Sequence, residues 1–173
     1  MWYAKRWMGR QRDASLVLFM LNTGLRLSET LNLCLDDVHL SERKGQIFIR
    51  RGKGNKQRTI HLNSDALKAI EEWLKIRPKH PENNFVFFAL ETDSSKALSS
   101  RSVQRAVRRL GEDAGLPKLS PHTLRHTFAK NLVNSGVSLE KIAALLGHTN
   151  LNTTRIYITP SQQDLENAVN ELA

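Results

Sequence analysis

Between Ser120 and Tyr157 the chain reads S-P-H-T-L-R-H-T-F-A-K-N-L-V-N-S-G-V-S-L-E-K-I-A-A-L-L-G-H-T-N-L-N-T-T-R-I-Y. This stretch restricts the fold more than any other, because its punctuation leaves few options. Ser120 is a good N-cap, and Pro121 suits the first helical position, where a missing N–H is harmless. Leu124, Phe128 and Leu132 repeat at four-residue spacing and give that helix one buried face. Gly136 ends it. Ser138 caps a second helix, Val137 and Ile142 fit a hydrophobic staple, and Gly147 stops it. Asn150 caps a short third helix carrying Thr153, Thr154 and Tyr157, and Pro160 breaks it.

The polar residues of the stretch fall at its breaks. His122 and Arg125 share a face near a helix start, and His148 follows Gly147 directly. With Tyr157 they make two proton carriers, one fixed cation and one phenol. That set suits attack on a phosphate ester.

The rest of the chain reads as mainly α with a small antiparallel β-sheet or hairpin, an α+β class. Asp13 to Asn22 predicts a buried helix with Asp13 as N-cap and Gly24 as terminator. Ser28 can cap a short helix from Glu29 to Leu33. Arg26 then sits in a tight connection, which suits either an aimed side chain or a solvated one. Gln46–Arg51 and Gln57–Leu62 predict two strands, with Ile47, Ile49, Ile60 and Leu62 on the apolar face. The turn between them, R-G-K-G-N-K, projects Lys53 and Lys56, for solvation or for phosphate contact. Ser64 to Arg77 predicts an amphipathic helix, Phe85 to Leu90 a short buried run that suits a strand, and Ser102 to Ala114 a further helix. On that last helix Arg101, Arg105, Arg108 and Arg109 lie largely off the apolar stripe. Such a face fits lying across a DNA groove, or is simply solvated, with Glu112 and Asp113 as its nearby counter-charge. Ser161 to Leu172 carries Leu165, Val169 and Leu172 on one side, to pack on its own domain or on a neighbouring copy.

Charge narrows the partner. Lys and Arg number 26 against 17 Asp and Glu, for a net charge of +9, and a basic excess attracts polyanions. Cys34 is the single cysteine, so no internal disulfide and no four-cysteine metal site can form; a buried, inert thiol in a reducing compartment is implied. No apolar run reaches membrane-spanning length, and charge interrupts the N-terminal apolar positions, which form no secretory signal. No carboxylate cluster suits a hydrolytic two-metal site. His122 and His126 stand four apart like zinc ligands, but without the Glu of a zinc-protease helix. The expected chemistry is therefore phosphoryl transfer with no metal and no cofactor. Arginines neutralise the transition state, a tyrosine attacks after losing its proton, and a lysine protonates the departing alkoxide.

Four motifs in order carry a resemblance: T-G-L-R-L-S-E, R-G-K-G-N-K-Q-R, P-H-T-L-R-H-T-F-A and L-L-G-H-T-N-L-N-T-T-R-I-Y. Together they closely resemble the catalytic domain of the tyrosine recombinases, the phage integrase family. The resemblance implies that Arg26 and Arg125 clamp a scissile phosphate and that His148 donates to it. It implies that Lys53 protonates the departing 5′ oxygen, that His122 moves the proton of Tyr157, and that Tyr157 forms a 3′-phosphotyrosyl bond. Lys56 looks like a backbone contact and His126 a structural residue. Double-stranded DNA would be the substrate, a homo-tetramer on DNA the assembly and DNA-bending proteins possible accessories, with no membrane. The expected setting is the cytoplasm, on the nucleoid. Residues 1–160 would form the catalytic domain and residues 161–173 a helical tail that docks on a neighbour. The N-terminal helical domain usual in relatives is missing, which suits either a fragment or a compact member. A catalytically idle DNA-binding module and a type IB topoisomerase-like enzyme share parts of the pattern.

Overall fold

The structure, a computed structural model, describes residues 2–50, 57–79, 83–90, 97–148, 150, 152–157 and 169–170, with only the backbone for 2–5. Its first element, α1, is one helix from Trp2 to Thr23. The expected start at Asp13 is corrected, because nothing upstream stops the helix. Asp13 lies mid-helix and buried, held at 2.7 Å by both Arg12 and Arg109. Those guanidiniums satisfy the carboxylate that a cap role would have placed in solvent. Gly24 ends α1 at φ +62°, a left-handed position suited to glycine.

Helix α2 spans Leu27–Leu31 with Arg26, not Ser28, as N-cap. The shift has a local cause. The Glu29 carboxylate reaches back to the Arg26 N–H at 2.8 Å and closes the helix start from inside. A 3-10 turn at Leu35–Asp37 leads into the sheet. Strands β1 (Val38–Ser41), β2 (Lys44–Ile49) and β3 (Arg58–Leu62) pair antiparallel in that order. Val38, Ile47 and Ile60 stand in one register row on the core face. Strand β1 escaped the sequence reading because it is an edge strand with three of its four residues exposed.

Helix α3 (Ser64–Ile76) is capped by Asn63 and packs on α1. After it, Phe85–Leu90 is buried but makes only single bridges, Cys34 with Phe85 and Phe88 with Ala97, rather than a strand. Side chains replace a ladder here. Trp73 Nε1 donates to the Val86 carbonyl at 2.7 Å, and the buried Arg77 guanidinium donates to Asn83 and Phe85 carbonyls. Burial holds Arg77 below the ordinary arginine pKa. Helices α4 (Ser100–Asp113, capped by Ser99), α5 (Pro121–Asn134, capped by Ser120), α6 (Leu139–Leu146) and α7 (Asn152–Arg155) follow. The mainly helical fold with one small antiparallel sheet matches the expected class.

A large core joins α1, α3, the sheet and the Phe85–Leu90 run. A smaller one joins Ala129, Ile142, Leu146 and Tyr157. Helix α5 contributes to both, through Leu124 to the first and Ala129 to the second. It carries Arg125 between them.

Candidate active site

The C-terminus of α6 organises the site. A helix end leaves carbonyls without intrahelical partners, and cations favour that end. Gly147, at φ +64°, turns the chain there. His148 N–H bonds back to the Ala143 carbonyl and Gly147 N–H to Ala144, which makes a Schellman closure. Three arginines then take the next carbonyls. Arg58 donates to Leu145 at 3.0 Å, Arg125 to Leu146 at 2.8 Å and Arg26 to Gly147 at 3.2 Å. They come from β3, α5 and the connection before α2, so one helix end gathers three distant parts of the chain.

Glu29 ties two of these cations together. Its oxygens accept from Arg58 at 2.8 and 2.9 Å and from Arg26 Nη1 at 3.1 Å. Burial pushes the Glu29 carboxyl up, but the Arg58 hydrogen bond and both guanidinium charges outweigh it and hold the group below the ordinary glutamate range. The Arg58–Glu29 pair is thus self-neutralised, and Arg26 and Arg125 remain as the surplus positive charge. Arg125 is 6 % exposed and also donates to the Gly24 carbonyl at 2.6 Å. Burial first, and the Arg26 charge second, lower its pKa to about 10. A cation in that condition favours an incoming anion, which would offset both causes.

His148 follows Gly147. Its Nε2 lies 2.9 Å from Arg125 Nη2, and its Nδ1 lies 2.8 Å from Thr154 Oγ1. A guanidinium only donates, so Nε2 accepts and Nδ1–H points to the fully buried Thr154 hydroxyl. Tyr157 sits one turn beyond, its N–H bonded to the Thr154 carbonyl at 3.0 Å. Its ring is 6 % exposed. It stacks near His148 at 6.3 Å and lies 5.0 Å from His126. Arg26, His122, Arg125, His148 and Tyr157 all line one groove of about 830 Å³, with Gln104, Arg108, Lys118 and Ile156 on its walls.

Of the residues expected from sequence, these five converge. Lys53 and Lys56 lie outside the described residues. Arg101, Arg105, Arg108 and Arg109 are all exposed on α4, but only Arg108 reaches the groove lining. Arg108 pairs with Glu112 at 2.9 Å, as the local counter-charge implied, whereas Arg109 pairs with the distant Asp13. Sequence reasoning missed Glu29, Arg58 and Thr154. Glu29 did leave a signal, standing three residues after Arg26 at a helix start. Arg58 left one only as the last residue of R-G-K-G-N-K-Q-R, and its partners stayed hidden, since only the folded sheet brings β3 to α6. Among the described residues no group of three or more His, Cys, Asp or Glu side chains converges to hold a metal ion, and no helix is long and apolar enough to cross a membrane.

Comparison with known proteins agrees with this geometry. The phage integrase family pattern matches residues 3–164. Tyrosine recombinase XerC of Haemophilus ducreyi is 39% identical over 148 residues, covering 84% of this chain and 47% of that protein. Tyrosine recombinase XerA of Pyrococcus furiosus is 36% identical over 158 residues, covering 91% and 54%. The chain thus spans about half the length of the curated relatives it matches. A crystal structure of XerA recombinase superposes with a TM-score of 0.80 at 30% identity, over 97% of this chain and 60% of that one. XerH site-specific recombinase, in a post-cleavage complex with palindromic difH substrate, superposes at 0.79 with 33% identity, over 94% and 46%. The chain belongs to the phage integrase family, with the fold of a tyrosine recombinase catalytic domain.

Proposed function

We propose that this chain is the catalytic part of a site-specific DNA recombinase that cleaves and rejoins strands through a 3′-phosphotyrosyl intermediate. One observation carries the reading: the phenol ring of Tyr157 shares a groove with two surplus guanidiniums, Arg26 and Arg125. Attack of the phenol oxygen on a phosphodiester forms a phosphorus–oxygen bond to Tyr157 and breaks the bond to O5′. The pentacoordinate transition state carries one more negative charge than the ground state, and forked, permanently charged donors suit it. Arg125 is held by the Gly24 and Leu146 carbonyls, which it keeps while its His148 contact is given up to the ligand, so the guanidinium itself moves little when the charge develops. His122, exposed on the first turn of α5 and part of the same groove lining as Tyr157, is assigned the phenol proton. His148 donates to the phosphate once a proton occupies Nε2, which requires that nitrogen to exchange Arg125 for the ligand. Lys53 is assigned the proton for O5′ on its motif alone. Return attack by a 5′ hydroxyl reseals the strand and conserves bond energy, so ATP is unnecessary.

Double-stranded DNA is the partner this chemistry requires, and Arg101, Arg105, Arg108 and Lys56 are proposed as phosphate contacts. XerH bound to a palindromic substrate supports a symmetric assembly, for which a homo-tetramer is the proposed form. Residues 1–160 are assigned as the catalytic unit. Residues 161–173 are assigned as a tail that reaches a neighbour, which the 67 % exposure of apolar Val169 supports.

The test uses a pool of nicked duplexes of randomised sequence, in which cleavage near a nick releases a short fragment and traps the enzyme. The native chain should give a covalent protein–DNA adduct on a denaturing gel, with or without a chelator. Tyr157→Phe should bind the same DNA and give none. An adduct that persists in that variant, or that needs a divalent ion, rules the reading out.

A further inference from the structure

The structure corrects the expected helix through Tyr157: α7 ends at Arg155 and Tyr157 stands in the turn two residues beyond it, so its ring is positioned by its neighbours. Helix α7 spans only Asn152–Arg155, too short to be rigid alone. The ring instead packs on Ala129, Ile142 and Leu146, and two imidazoles complete its surround. His148 is placed there by Arg125 and Thr154. His126 is not explained that way. It is exposed on α5, directly after Arg125, and its imidazole lies 5.0 Å from the Tyr157 ring at a tilt of 55°. That separation and tilt suit an edge-to-face aromatic contact.

We infer that His126 is a positioning residue for Tyr157, its imidazole resting on the phenol ring and fixing the direction in which the hydroxyl points. The inference rests on the reading of Tyr157 as nucleophile. Consecutive residues of α5 then do linked jobs. Arg125 fixes where the phosphate is held, and His126 fixes the ring that attacks it, so one helical turn sets the distance between them. The contact uses the ring and needs no proton on it.

Tyrosine is scarce in this chain, with only Tyr3 and Tyr157, so fluorotyrosine labelling reports on the ring directly. In ¹⁹F spectra of the full chain, His126→Ala should shift and narrow the Tyr157 signal while that of Tyr3 stays put. His126→Phe, which keeps a ring without an ionisable nitrogen, should hold the Tyr157 signal broad. In the nicked-duplex assay His126→Ala should slow adduct formation by about tenfold to a hundredfold at unchanged DNA affinity. His126→Phe should recover most of that loss. An unmoved Tyr157 signal in His126→Ala overturns the inference, as does a His126→Phe variant as slow as His126→Ala. If the native chain gives no adduct at all, the recombinase reading fails, while the fluorine spectra still decide whether His126 holds the ring.

Discussion

Glu29 touches no reacting atom in the proposed scheme, yet the cation cluster depends on it. Its carboxylate is 5 % exposed, accepts from Arg58 and Arg26, and closes the start of α2. Glu29→Gln keeps the shape and removes the charge, leaving Arg58 buried without compensation. Removing one partner of a buried pair costs about 3–5 kcal/mol, so urea unfolding at neutral pH should show a loss of that size. The acid limb follows from the direction of the pKa shift. The folded value of Glu29 lies below the ordinary 4.5, so its contribution is complete above that pH and is lost as pH falls through the lower folded value. Thermal melts across that window should decline in the native chain, and the decline should be shallower in Glu29→Gln. At this scale the sequence was partly legible. His122 and Arg125 share a face near a helix start and His148 follows a glycine stop, so these positions were readable. Their convergence with Tyr157 depends on the packing of α5, α6 and α7. The partner of Arg109 was not legible, because Asp13 reads locally as a cap and becomes its partner only when α1 packs beside α4.

Helix ends hold the cations of the groove, while the middle of α4 supplies Gln104 and Arg108 to its wall. The α6 terminus offers carbonyls to Arg26, Arg58 and Arg125, and the end of α1 offers Gly24 to Arg125. Gly24 is left-handed, and a Cβ there would stand 2.2 Å from a Phe128 ring carbon. Gly24→Ala should therefore destabilise by more than about 1 kcal/mol in urea titrations, since both the backbone and the ring must move. The same change displaces an Arg125 acceptor, so adduct formation should fall as well. A variant with native stability and native cleavage would remove the α1 terminus from the site. Termination by glycine was readable at Gly24, Gly136 and Gly147. Starts were less so: α1 begins well before Asp13, and α2 begins on a glutamate reaching back rather than on a serine. Strand β1 was invisible, because a mostly exposed edge strand lacks the apolar alternation that announces a strand.

Over the whole molecule the net charge of +9 sets how the chain meets a polyanion. If about six phosphates are neutralised, DNA affinity should fall roughly a thousandfold between about 50 and 200 mM salt. Fluorescence anisotropy across that range measures the slope, and a flat response would contradict an electrostatic footprint on this face. Arg101→Ala and Arg105→Ala should each reduce the slope by about one ion. The fold class was legible as a whole because capped, glycine-stopped helices dominate and one hairpin interrupts them. The irregular Phe85–Leu90 run was not, because its carbonyls are satisfied by Trp73 and Arg77, a solution that local pattern cannot express. The central claim is that the groove holding Arg26 and Arg125 aims one particular oxygen at a phosphate. Digesting the trapped adduct and sequencing the DNA-linked peptide by mass spectrometry tests it most directly. The account predicts a 3′-phosphate joined to Tyr157, and a linkage to any other side chain, or through a 5′-phosphate, would contradict it.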